Sequence, residues 1–76
     1  MWQEENNQLY KKFVFKTFVD AFAFMTKVAM ISEKMDHHPK WTNVYNAVEF
    51  WLSTHDDGNV VTEKDKKLST LIDALI

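Results

Sequence analysis

Every histidine of this 76-residue chain lies in one of two short blocks, Glu33-Lys34-Met35-Asp36-His37-His38-Pro39-Lys40-Trp41 and Ser53-Thr54-His55-Asp56. Imidazole is the side chain whose ordinary pKa lies nearest neutrality, so histidines gathered beside carboxylates are suited to giving and taking protons. Three histidines and Asp36 are also enough in number for a zinc ion. Adjacency opposes that reading: neighbouring histidines on a loop rarely turn both rings onto one ion, and the His-x-x-x-His spacing that helices use is missing. Because the chain has no cysteine, a thiolate metal site, a cysteine nucleophile and a disulfide are all excluded.

These blocks need elements to position them. Trp2 to Glu5, Asn6-Asn7 and Gln8 to Phe15 read as a hairpin, since asparagine tolerates the left-handed backbone of a tight turn. Leu9, Phe13 and Phe15 alternate with Tyr10, Lys12 and Val14, a strand with one buried face. Thr17 then stands at an N-cap position with Asp20 three residues on, and Phe18, Ala21, Phe22, Met25, Val28 and Ala29 recur at helical spacing. The spacing predicts a helix over Phe18 to Met35, stopped by Pro39, with Phe24 and Ile31 on other faces that would meet a partner. Alternation returns from Thr42 to His55. It places Val44, Val48, Phe50, Leu52 and Thr54 on one face and Tyr45, Trp51, Ser53 and His55 on the other, as one strand. A turn at Asp56-Asp57-Gly58-Asn59 leads to Thr62 and Asp65, a second N-cap pattern ahead of Leu68, Leu71, Ile72 and Leu75. The expected fold is α+β in the order β-β-α-β-α, a small antiparallel sheet with helices packed on one face and an accessible face carrying His55.

Composition narrows the function. The net charge is −2 and no arginine is present, so no basic stripe is available to neutralise phosphates and direct nucleic-acid binding is not expected. Apolar runs are short and broken by Asp20, Lys27 and Glu49, which gives no membrane span, and the acidic Met1 to Asn7 segment does not read as a signal peptide. A cytoplasmic location is expected. With 46% hydrophobic residues, including three Trp and six Phe, a single domain this small carries a heavy apolar load, which points to self-association.

Taken together, Phe22-Ala23-Phe24-Met25-Thr26-Lys27-Val28-Ala29, the Glu33 to Trp41 block, Asn43-Val44-Tyr45-Asn46 and Leu52-Ser53-Thr54-His55-Asp56 resemble the pterin-4a-carbinolamine dehydratases. The likeness runs from Phe13 to Leu75. Members of that family usually begin with a further helix of about twenty residues, absent ahead of Trp2 here, and the loop from Asp56 to Val61 is one residue longer than the common glycine-rich version.

The resemblance implies dehydration of a 4a-hydroxytetrahydropterin to the quinonoid dihydropterin, in recycling of the tetrahydrobiopterin used by aromatic amino acid hydroxylases, with no metal or other cofactor. It assigns His37 and His55 to proton transfer and His38 to positioning the pterin, with Asp36, Pro39, Ser53, Thr54 and Asp56 shaping the site. Glu33 would orient His37 or stand as an exposed helix-end acid. Asp65 would steady His55, although its spacing from Thr62 favours a capping role. Trp41 would stack on substrate or serve as wall packing. The resemblance also implies a homodimer or homotetramer. Animal members of the family serve in addition as dimerisation cofactors of a homeodomain transcription factor, which makes an oligomer-surface binding module, with a nuclear location, the alternative.

Overall fold

The computed structural model describes all 76 residues, Met1 to Ile76. Strands β1 (Gln3–Glu5) and β2 (Gln8–Val14) form the expected hairpin, and both residues of its loop, Asn6 and Asn7, have positive φ of 52° and 62°. That is the backbone a two-residue hairpin turn demands. Helix α1 (Phe18–Met35) follows, its first turn capped by Thr17 Oγ1, which accepts from the Asp20 amide at 3.1 Å. Then come β3 (Lys40–Val44), β4 (Ala47–Leu52) and helix α2 (Glu63–Asp73). The four strands form one antiparallel sheet in the order β1-β2-β4-β3. The fold is α+β, as expected.

Four sequence expectations are corrected. The stretch from Thr42 to His55 is not one strand: it turns back at Tyr45-Asn46, with Tyr45 left-handed at φ 51°, so the element order is β-β-α-β-β-α. Val44 pairs with Ala47 across this turn, which puts Val44 on the uncovered face, 75% exposed, while Val48, Phe50 and Leu52 keep their buried face. Secondly, α1 buries Ala21, Phe24, Val28 and Ser32, whereas Phe18 and Phe22 are exposed; Phe24 belongs to the chain's own core and Ile31 packs against it. Thirdly, α1 ends at Met35, as expected, but through a cap of its own and not through Pro39. Asp36 takes the left-handed conformation (φ 53°, ψ 43°), its amide donates to the Glu33 carbonyl and the His37 amide to the Ser32 carbonyl at 3.0 Å. This is a Schellman cap with aspartate in the place usually held by glycine. Fourthly, His55 lies beyond β4, in a turn of 3₁₀ helix (His55–Asp57), and not on the open sheet face.

Both helices cover the face carrying Leu9, Phe13, Val48, Phe50 and Leu52, which join Ala21, Phe24, Val28, Leu68 and Ile72 in one core. Phe50 is its hub, with the rings of Trp2, Phe13, Phe24 and Trp41 at centroid distances of 5.4–6.1 Å. The far end of α2 is tied down by Asp73, which accepts from Trp2 Nε1 at 3.1 Å and Lys11 Nζ at 2.9 Å. On the opposite face Tyr10 packs against Trp51 and donates to the Glu49 carboxylate. No helix is long and apolar enough to cross a membrane.

Candidate active site

Three chain segments end or begin at the same corner of the sheet. Helix α1 closes at Asp36 and delivers His37 and His38; β4 runs out into Ser53 and Thr54; the 3₁₀ turn presents His55 and Asp56 before α2 starts at Glu63. An isolated bridge between Thr54 and Val60, with the Thr54 amide donating to the Val60 carbonyl at 2.8 Å, pins the base of the intervening loop. Gly58 closes that loop at φ 88°, where a side chain would strain the backbone.

The result is an open cavity of about 210 Å³ lined by Asp36, His37, His38, Ser53, Thr54, His55, Asp56 and Lys64, none of them hydrophobic. Seven of these eight were expected from the sequence. Lys64 was not: it reads as a solvent-facing residue of α2, and only the proximity of the first turn of α2 to the histidines brings it to the rim. The Thr62-to-Asp65 cap was the available signal, since it fixes where that turn begins.

Each imidazole has one nitrogen engaged by an oxygen. His37 Nε2 lies 2.6 Å from Asp65 Oδ1, His38 Nε2 lies 2.9 Å from Glu33 Oε1, and His55 Nδ1 lies 3.1 Å from Asn59 Oδ1. An ionised carboxylate or an amide carbonyl oxygen accepts, so with Asp65 and Glu33 ionised the engaged ring nitrogen is the donor, and a neutral ring then has its second nitrogen left as an acceptor. Asp65 is wholly buried, and its Oδ2 accepts from Thr54 Oγ1 at 2.7 Å and from the Thr62 amide at 2.9 Å. It therefore completes the capping box of α2 and holds a site histidine at once.

Two expected partnerships are exchanged. Asp65 engages His37 and not His55, and Glu33 engages His38 and not His37. Pro39, Glu33 and Asp65 do not line the cavity. Trp41 faces elsewhere: its ring packs 5.4 Å from Phe50, beside an apolar groove with Phe22 and Met25. No three His, Asp or Glu side chains are gathered so as to hold a metal ion.

A family model described as pterin 4 alpha carbinolamine dehydratase matches residues 1–75. A protein of Prochlorococcus marinus (strain NATL2A), provisionally named pterin-4-alpha-carbinolamine dehydratase, is 51% identical over 75 residues, spanning 99% of this chain and 78% of the relative. The crystal structure of a transcriptional coactivator/pterin dehydratase from Brucella melitensis is similar at a TM-score of 0.91 and 43% identity, covering 96% of this chain and 79% of the other. A pterin dehydratase-like protein identified as a RuBisCO assembly factor in the alpha-carboxysome is similar at a TM-score of 0.79 and 25% identity, covering 99% and 86%.

Proposed function

Because the chain belongs to the pterin 4 alpha carbinolamine dehydratase family, we propose that it eliminates water from a 4a-hydroxytetrahydropterin to give the quinonoid dihydropterin, as one step of tetrahydrobiopterin recycling. The observation carrying this reading is the all-polar cavity in which three imidazoles are each held through one nitrogen, with no protein partner on the other.

The reaction breaks the C4a–O bond and the N5–H bond and forms the C4a=N5 double bond. The departing hydroxyl takes up a proton and leaves as water while N5 gives one up, so one acid and one base suffice. His37 and His55 fill these two roles. His38, held only by an exposed carboxylate, positions the pterin with Asp36, Ser53 and Asp56, while the buried Thr54 lies beneath them with its hydroxyl turned to Asp65. Lys64 adds an N–H donor for a ring carbonyl or nitrogen. The direct test is dehydration of freshly generated 4a-hydroxytetrahydropterin followed by absorbance. Acceleration by the wild type and none by a His37→Ala/His55→Ala double variant is expected; an uncatalysed rate with the wild type would overturn the reading.

We further propose a cytoplasmic homodimer or homotetramer. Phe18, Val19, Phe22 and Met30 leave the outer side of α1 apolar and exposed, which favours burial against another chain. Light scattering at micromolar concentration tests it, with a stable 9.0 kDa monomer as the contrary result. That same surface would carry a binding role such as coactivation; the double histidine variant should lose dehydration and keep any such binding.

A further inference from the structure

A residue can serve the site without touching substrate, and the contacts beneath His37 define such a case. Asp65 Oδ2 is fixed by two donors, the Thr62 amide and Thr54 Oγ1, which sets the direction in which Oδ1 meets the ring. Thr54 has one hydroxyl hydrogen, and it goes to Asp65. In the 2.6 Å contact between Thr54 Oγ1 and Thr62 Oγ1, Thr62 must then be the donor. Thr62 Oγ1 in turn accepts from the Lys64 amide at 3.3 Å. Every hydrogen has a place along this chain, from the first turn of α2 through Thr62, Thr54 and Asp65 to His37. Three donors converge on Asp65, as an ionised carboxylate accepts them. The remaining nitrogen, His37 Nδ1, has no protein partner and is not buried, and His37 lines the cavity.

Resting on the dehydratase reading, we propose that Thr54 and Thr62 are positioning residues: their hydroxyls orient Asp65 so that His37 keeps its hydrogen on Nε2 and presents Nδ1 as the nitrogen that exchanges a proton with the pterin. The opposite arrangement, a protonated Asp65 donating to a bare Nε2, would put the hydrogen on Nδ1 instead. The two arrangements are distinguishable because the ring nitrogens of a neutral imidazole differ in ¹⁵N shift according to which one carries hydrogen.

The experiment uses the full chain labelled with ¹⁵N-histidine. Long-range ¹H–¹⁵N correlation spectra above the titration range of the histidines should show His37 protonated on Nε2 and bare on Nδ1; the reverse pattern overturns the proposal. Thr54→Val, of nearly the same shape, should blur that preference and lower turnover roughly tenfold with KM little changed, since it weakens orientation and leaves the acid and base present. Thr54→Ser, which restores the hydroxyl, should recover both. If Thr54→Val folds with wild-type spectra and turnover, the hydroxyl chain does not position His37, although the dehydratase reading stands. If the wild type lacks dehydratase activity, the reading fails and the role of Nδ1 in proton exchange falls with it.

Discussion

Two carboxylate–imidazole pairs stand side by side at the end of α1 and differ in everything but chemistry. His37 and Asp65 meet at 2.6 Å with side chains 10% and 0% exposed; His38 and Glu33 meet at 2.9 Å with side chains 58% and 82% exposed. The first joins residues 28 apart in sequence and the second residues five apart. Water competes for the exposed pair and screens it, so it holds His38 loosely. The buried pair has no such competitor, and its carboxylate also closes the cap of α2, so His37 is placed by the fold itself. A rigid histidine suits proton transfer at a defined atom, and a compliant one suits contact with a substrate that must enter and leave.

The sharpest way to break that contrast is to remove each carboxylate. Asp65→Ala deletes a capping box and strands the donors of His37, Thr54 and the Thr62 amide, a loss of roughly 3 kcal/mol in stability. Glu33→Ala should change stability by less than about 0.5 kcal/mol. Urea unfolding measures both, and equal losses would show that burial does not distinguish the pairs.

Kinetics should separate the two histidines in a second way. His37→Ala and His55→Ala are each expected to lower turnover by about 10²-fold or less, with the double variant far worse. His38→Ala should raise KM with turnover nearly kept, as removal of a contact equal in ground and transition states does. A fall in turnover at constant KM for His38→Ala would make it a proton-transfer residue as well.

Much of this arrangement was legible because it is local. The Asn6-Asn7 turn, the span of α1, and the Thr62 cap each depend on residues within a few positions of one another, and each stands where the sequence puts it. The break at Tyr45-Asn46 carries no glycine or proline, and Val44 and Val48 read as one continuous alternation across it although the turn reverses which parity is buried. Helix α1 is apolar on more than one side, so spacing alone does not choose between the stripe of Phe18 and Phe22 and the stripe of Ala21 and Phe24. Of the candidate site, the histidines and their neighbours were visible as residue types. The carboxylates Glu33 and Asp65 were visible too, but not which histidine each would hold, because the pairing of His37 with Asp65 exists only once α2 has docked at the end of α1.

A third carboxylate, Glu49, extends the comparison to the open sheet face, where it accepts from the Tyr10 hydroxyl. That hydrogen bond, followed by burial and by repulsion from the charges of Glu49 and Glu5, raises the phenol above its ordinary value. Since the folded state holds this proton more tightly than the unfolded state, the associated stability is fully present below the ordinary phenol value of about 10 and is lost as pH rises through the higher folded value. Alkaline titration of the melting temperature should therefore fall less steeply for Tyr10→Phe than for the wild type. Parallel slopes would remove Tyr10 from the account of alkaline stability.

The smallest expected effect has the opposite sign. Ser32 lies in the buried stripe of α1, 2% exposed, and its Oγ has no hydrogen-bond partner, in contrast to Asp65, whose two oxygens meet three donors. What Ser32 contributes to the site is its backbone carbonyl, which accepts the His37 amide and closes the cap that delivers both histidines. Alanine keeps that carbonyl, removes an unmet hydroxyl from the core and favours the helix, so Ser32→Ala should gain about 0.5–1 kcal/mol. For a domain of this size that is a rise of roughly 3–6 °C in melting temperature. Turnover should be unchanged, because the Schellman geometry is untouched. A fall in stability instead would mean that the hydroxyl is satisfied in solution, as by a buried water, and that this end of α1 belongs with the fully met network around Asp65.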